Sequence, residues 1–201
     1  MTTPVGRSGR DPGRGLPPGQ RATRTWRASH YGRVPTLEAE GWTLRVGGET
    51  LDGGVRVLTW EDLADLPDVE VEADLHCVDR HSVTGLRWGG VRMRDVLALA
   101  PPAPGSEHVL LAAVRGYAAA VHLEELRHPD ALLAHSVDGE PLSPEHGWPA
   151  RVVLPHLYGF KGPKWVVEAT YHREPQQGWW ESHGYHPRGR VAREERFAHQ
   201  D

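Results

Sequence analysis

The sequence predicts an α+β fold, mixed and mostly β, with a few short helices. Three observations carry this expectation. Short apolar stretches alternate with period 2, Gly and Pro (23 and 17 of 201 residues) punctuate them, and no heptad or internal repeat appears. The length fits one domain of ordinary size. A disordered tail is expected over 1–24, where Gly, Pro and Arg leave almost no apolar content to offset the entropy of ordering, and a single folded domain over 25–201.

Along the chain, residues 42–46 alternate like a strand, with Gly47-Gly48 as its turn, and 55–58 read as another strand. Thr59 with Asp62 makes a capping box for a short helix ended by Pro67. Val69, Val71, Ala73 and Leu75 alternate with acids at 70, 72 and 74, a half-buried strand that delivers His76 and Cys77 at its end. Residues 91–100, stopped by Pro101-Pro102, suit a helix; 109–114, 117–123, 132–137, 151–154 and 164–171 suit strands.

Composition narrows the function classes. No apolar run approaches the roughly 20 residues that span a bilayer. The N-terminus has arginines but no apolar signal core, and the only cysteine can form no internal disulfide, so a reducing, cytoplasmic setting is expected, with no membrane partner. The net charge is −4, and residues 25–150 hold ten arginines against twenty acids, which argues against a nucleic-acid partner.

Two stretches carry candidate chemistry. Cys77 sits in ADLHCVDRHS among His76, Asp79, Arg80 and His81, neighbours that favour a thiolate able to bind metal or attack a substrate; the alternative is a small buried hydrophobe. In 146–165, Lys161 and Lys164 are the only lysines, flanked by Gly159 and Gly162 with Arg151 upstream. Such a loop can hold a phosphate through amides and ammonium groups, or be a solvated basic turn. The thirteen histidines include no HExxH, and most of the eight tryptophans read as core. A Cys/His hydrolase, with Cys77 as nucleophile and His81 or His122 as base, stays open because such partners meet in space, not in sequence.

Five ordered blocks resemble the sulfite oxidase-type family of molybdopterin oxidoreductases, especially its short bacterial members that consist of the catalytic domain alone. They are LPPGQ at 16–20, HYGRVP at 30–35, HCVDRHS at 76–82, DGEPLSPEHGWPARVVLPHLYGFKGPKW at 138–165 and GWWESHGYHPRGRVAREERF at 178–197. The resemblance implies a sulfite oxidase-like fold and a molybdenum-molybdopterin cofactor whose metal takes its protein thiolate from Cys77. It places His30, Tyr31, His146, Arg151, Gly162, Pro163 and Lys164 against the pterin. His146 stands where some relatives have asparagine, and Ala113 where many have a hydroxyl, so a backbone or water contact must substitute there. The implied chemistry is two-electron oxygen-atom transfer on a small anionic or oxide substrate, by sulfite-like oxidation or S-/N-oxide reduction. Arg80 and His81 are the candidates for holding that substrate or donating protons, Arg80 through its forked guanidinium; a plain ion pair with a nearby acid is its alternative. With no room for a haem domain in 201 residues, an external electron-transfer partner is expected. A pterin-binding module that has lost its chemistry is the remaining alternative.

Overall fold

The computed structural model describes residues 15–200. In chain order its elements are β1 (Arg21–Thr23), β2 (Thr43–Gly48), β3 (Arg56–Thr59), α1 (Trp60–Ala64), β4 (Asp68–His76), β5 (His81–Arg92), α2 (Met93–Ala98), β6 (His108–Ala113), β7 (Ala118–His122), α3 (Leu123–Leu126), β8 (Leu132–Val137), β9 (Glu140–Pro141), β10 (Arg151–Val153) and β11 (Val166–His172), with short 3-10 turns between them. One sheet runs β1-β5-β8-β10, with β4 added on β5 and β9 on β8; the other runs β3-β2-β11-β6-β7. The mostly β architecture with short helices is the one expected. No helix among the described residues is long and apolar enough to cross a membrane.

The sheet that carries Cys77 is covered on both faces, and strand alternation explains how. Leu133 and Val152 point into the larger core with Val46, Val109, Leu111 and Ala169 of the second sheet, whereas Leu132, Ala134 and Val153 point the other way, onto Trp26, Leu86 and Trp88. Each fully buried side chain of this kind contributes roughly 1.5–3 kcal/mol of transfer free energy. Arg151 precedes Val152 in β10 and so shares its face with Val153, which puts a guanidinium into the smaller, tryptophan-rich core.

β4 alternates as its sequence predicts, with Val71 and Ala73 buried between exposed Glu70 and Glu72. Its register against β5 slips between Ala73 and Leu75, opposite Gly85, whose φ is 71° and whose amide donates to Asp74 Oδ1 at 2.8 Å. A bulge of this kind re-aims the strand beyond it. His76 then pairs with Ser82, and Cys77 falls in the turn over 77–80.

Several expectations hold and several change. The capping box is formed, with the Asp62 amide donating to Thr59 Oγ1 (3.3 Å) and the Thr59 amide to Asp62 Oδ2 (2.7 Å). Gly47 and Gly48 are not a turn: both extend β2 beside β11, and a Cβ on Gly48 would strike the Tyr171 carbonyl. The turn lies after them, where Asp52 Oδ1 accepts from the Gly54 amide at 2.9 Å. The helix expected over 91–100 is shorter, because Val91 and Arg92 stay in β5 opposite Leu133 and Leu132. The tail does not extend to 24: β1 pairs in parallel with His81, Ser82 and Val83, anchored by the buried Gln20. The rest of that expected tail, 1–14, lies outside the described residues.

Candidate active site

The turn over 77–80 is held from both sides. The Cys77 amide donates to the His81 carbonyl (2.7 Å) and the Arg80 amide to the Cys77 carbonyl (3.2 Å), with Arg80 in the left-handed region at φ 75°. Gln20 Nε2 donates to the Cys77 carbonyl at 3.2 Å. Ser82 donates to Gln20 Oε1 (3.0 Å), so its own oxygen accepts from His76 Nδ1 (2.8 Å). This buried relay fixes the residue before Cys77, and burial keeps the His76 imidazole neutral by lowering its pKa. Cys77 itself is exposed.

A second constellation is built where the early segment meets β10 and the loop before β11. Arg151 is buried, its guanidinium 5.8 Å from the Trp26 ring and 5.4 Å from the Trp88 ring, and it donates to the His146 carbonyl at 3.0 Å. The His146 ring lies on Trp26 at 3.9 Å with Nδ1 2.8 Å from Ser143 Oγ. Lys164 bridges Arg151 across a β-bridge and donates to the Ser29 and Glu145 carbonyls at 2.7 and 2.9 Å. Neither Arg151 nor Lys164 has a carboxylate partner among the ion pairs of the described residues. Arg151 Nε and His146 Nε2 are buried without a hydrogen-bond partner among the described residues. The charges register this crowding. Burial, then Arg151 and Lys164, drives His146 down to about 4; burial, then Arg151, drives Lys164 down to about 7; and burial brings Arg151 to about 10.

Of the other residues expected around the cofactor, each has a definite place. His30 stands 5.9 Å from the Trp165 ring and Tyr31 packs on Trp179 at 4.4 Å; both are exposed and directly follow Ser29, whose carbonyl accepts from Lys164. Gly162 and Pro163 lie buried against β10: the Val152 amide donates to the Pro163 carbonyl at 2.9 Å, and a Cβ on Gly162 would strike the Val152 carbonyl. Gly159, at the start of the same loop, approaches the His76 carbonyl and so joins the pocket to the cysteine turn.

Three expectations are corrected. The cationic neighbours of Cys77 do not face its thiol: His81 Nδ1 turns to Asp79 at 2.9 Å, and Arg80 reaches toward Glu194 at 3.8 Å. Partial desolvation of the sulfur, then the Asp79 carboxylate, instead push the thiol up to about 11, although the residue as a whole is exposed. Lys161 is no phosphate ligand. It is fully buried, ion-paired with Glu181, and donates to the Ala120 carbonyl at 2.7 Å. The Ala113 amide is also taken, by the Tyr117 carbonyl at 2.8 Å, so it has no backbone donor to offer. Gln20, Trp88, Ser143 and Arg196 shape the site without having been singled out by sequence pattern. Gln20, Ser143 and Arg196 lie inside three of the matched blocks, which was the available signal, and Trp88 lies outside them.

The scaffold is β-rich, with one exposed thiol in the turn after β4 and, where β10 meets the loop before β11, a buried Arg151 and a half-buried Lys164 without an ion-pair partner among the described residues. The oxidoreductase molybdopterin-binding domain family matches residues 31–180, and the chain belongs to it. It is 37% identical over 183 residues to the oxidoreductase YuiH of Bacillus subtilis, spanning 90% of this chain and 91% of that one. Human mitochondrial sulfite oxidase is 30% identical over 184 residues, across 76% of this chain and 33% of its own length. The protein-methionine-sulfoxide reductase catalytic subunit MsrP of Xanthomonas axonopodis pv. citri is 30% identical over 160 residues, across 72% of this chain and 49% of its own. The chain thus spans a third to a half of these two relatives. The sulfane dehydrogenase SoxCD from Paracoccus pantotrophus shares the fold, with a TM-score of 0.65 at 23% identity over 73% of this chain and 42% of that one. The chain is therefore a molybdenum oxidoreductase whose cofactor is molybdenum-molybdopterin.

Proposed function

We propose that Cys77 is the protein's ligand to molybdenum and that Arg151, Lys164 and His146 hold the pterin. The observation that carries this reading is the cation pair of buried Arg151 and half-buried Lys164, neither in an ion pair among the described residues, beside the unpartnered Arg151 Nε and His146 Nε2. Burying uncompensated like charges is costly, and an anion of the pterin phosphate class relieves it. His146, neutral at ordinary pH, offers a hydrogen bond from its ring without adding charge. His30 and Tyr31 line the open side next to Lys164, while Gly162 and Pro163 keep the loop close to β10.

The bound cofactor supplies two-electron oxygen-atom transfer, the protein's share being placement and tuning. We assign to the site a small sulfur or nitrogen oxide that gains or loses one oxygen atom, with the two electrons exchanged with an external partner protein. Arg80 and His81 flank the exposed face of Cys77, where such a substrate arrives. Among the described residues the Arg80 guanidinium makes a 3.8 Å ion pair with Glu194, a long contact that leaves donors for an oxyanion. His81, an expected base of the hydrolase alternative, turns its Nδ1 to Asp79 and away from Cys77, which weighs against that reading.

Protein produced in a molybdenum-sufficient host should contain equimolar molybdenum and pterin, measured by elemental analysis and by fluorescence of the oxidised pterin after acid denaturation. Absence of both would sink the assignment. Cys77→Ser should keep the fold and most of the pterin while turnover of sulfite, sulfoxides or N-oxides disappears; full activity in that variant would contradict the ligand role.

A further inference from the structure

We infer that Arg196 is a positioning residue for the metal-ligating turn, an inference that rests on Cys77 being the ligand. Arg196 comes from the last segment of the chain, 118 residues beyond the turn, yet its NH1 donates to the Val78 carbonyl at 2.6 Å. It is 1% exposed. Its guanidinium lies over the Tyr158 ring at 4.8 Å, and its NH2 makes only long contacts, 3.4 Å to Glu194 Oε1 and 3.5 Å to the Pro18 carbonyl. Its Nε has no partner among the described residues.

The carbonyls of the turn show what this arrangement does. The Cys77 carbonyl accepts from Gln20 and from the Arg80 amide, the Val78 carbonyl accepts from Arg196, and the Arg80 carbonyl accepts from the Arg21 amide at 2.9 Å. Donors from both ends of the described chain thus converge on four residues. Gly19 lets them meet: at φ 65° it lies so close that a Cβ would strike Glu194 Oε1 and press on the guanidinium nitrogens of Arg80 and Arg196. A buried arginine with one short hydrogen bond, two long ones and an unpartnered Nε is a poor stabiliser, since an apolar residue would fill the space without the desolvation penalty. Its geometry fits another task, fixing the backbone that aims the Cys77 sulfur, as partners of a ligand hold that ligand's orientation.

The test compares Arg196→Lys, Arg196→Gln and Cys77→Ser with the wild-type holoenzyme, reading the Mo(V) electron paramagnetic resonance spectrum, metal and pterin content, and kcat against KM. Lysine keeps the charge but not the fork; glutamine keeps a donor for the Val78 carbonyl without a buried charge, and decides the case if the lysine variant does not accumulate folded. Expected are altered g values and a kcat lower by about 10- to 100-fold, with cofactor content and KM near wild type. If Cys77→Ser changes the spectrum while the folded Arg196 variants keep it and lose only thermal stability, Arg196 merely anchors the C-terminal segment and the inference is overturned. If Cys77→Ser leaves the spectrum unchanged, the ligand assignment itself fails, and this inference with it.

Discussion

Lys164→Met should raise the stability of the cofactor-free protein while weakening its hold on the cofactor. In the folded chain Lys164 drops from its ordinary 10.5 to about 7, because burial and then the Arg151 guanidinium disfavour its charge. Taken at face value that difference corresponds to roughly 5 kcal/mol against the charged form. Screening at a half-buried site trims it to about 3 kcal/mol. Methionine also removes the donors to the Ser29 and Glu145 carbonyls, about 1 kcal/mol each, leaving about 1 kcal/mol in favour of the variant.

The sign with pH is set by proton binding. Between about 7 and 10.5 the unfolded chain holds a proton at Lys164 that the folded chain lacks, so wild-type stability rises with pH across that window. Below about 7 both states are protonated and the full penalty is present. Thermal unfolding of cofactor-free protein should therefore place the variant about 2–4 °C above wild type at pH 6, with the gap closing and then reversing toward pH 10. Equilibrium retention of the molybdopterin should weaken about 10- to 100-fold, as expected for loss of a charge-assisted contact to an anion. A cofactor-free variant that melts several degrees below wild type at pH 6, or that retains cofactor as wild type does, would refute the reasoning.

Other substitutions test the surrounding structure. Lys161→Met strands Glu181 in the core and should cost about 3–5 kcal/mol in urea unfolding, much of it recovered by adding Glu181→Leu. His146→Asn should keep wild-type pterin content, because its amide can still donate toward the pocket, whereas His146→Leu should lower it. Gly90→Ala, whose Cβ would strike the Leu133 carbonyl, should destabilise the β5–β8 pair by about 1–3 kcal/mol by the same measurement.

Legibility in the sequence tracked the strength of local patterning. β4 was readable because its burial alternates residue by residue, and α1 because its capping chemistry is local. β5, the longest strand, was not. HSVTGLRWGGVR mixes three glycines with charged residues, and they answer to neighbouring strands, not to any local preference: Gly85 sits at the β4 bulge, Gly89 meets Ser136 and Gly90 meets the Leu133 carbonyl. β1 was hidden for the same reason, since its polar sequence is ordered by pairing to β5 and by Gln20. At the site, Cys77 and the Arg151–Lys164 stretch were named from ordered motifs, but the direction of each charge was not available. Whether His81 faces the thiol or Asp79, and whether Lys161 faces solvent or Glu181, depends on contacts between residues two to twenty positions apart that no spacing rule fixes.

The two halves of the site are stabilised by opposite means, and that difference explains where sequence reasoning served and where it failed. The Arg151–Lys164 side is largely buried and carries two cations without an ion-pair partner among the described residues, a cost that the anion would relieve on the proposed reading; Lys164 and the unpartnered Arg151 Nε are its signature. The cysteine side is exposed and gains its rigidity from backbone carbonyls claimed by Gln20, Arg21 and Arg196. A substrate must reach that side, so no packing can hold it, and hydrogen bonds from distant segments take the place of a core. A charged side chain leaves at least a visible trace in the sequence, as Lys164 does in a chain with only two lysines. Carbonyl acceptors leave none, because every residue has one. The arginine that aims the thiolate was therefore the least visible part of the site, although it sat in a block already matched.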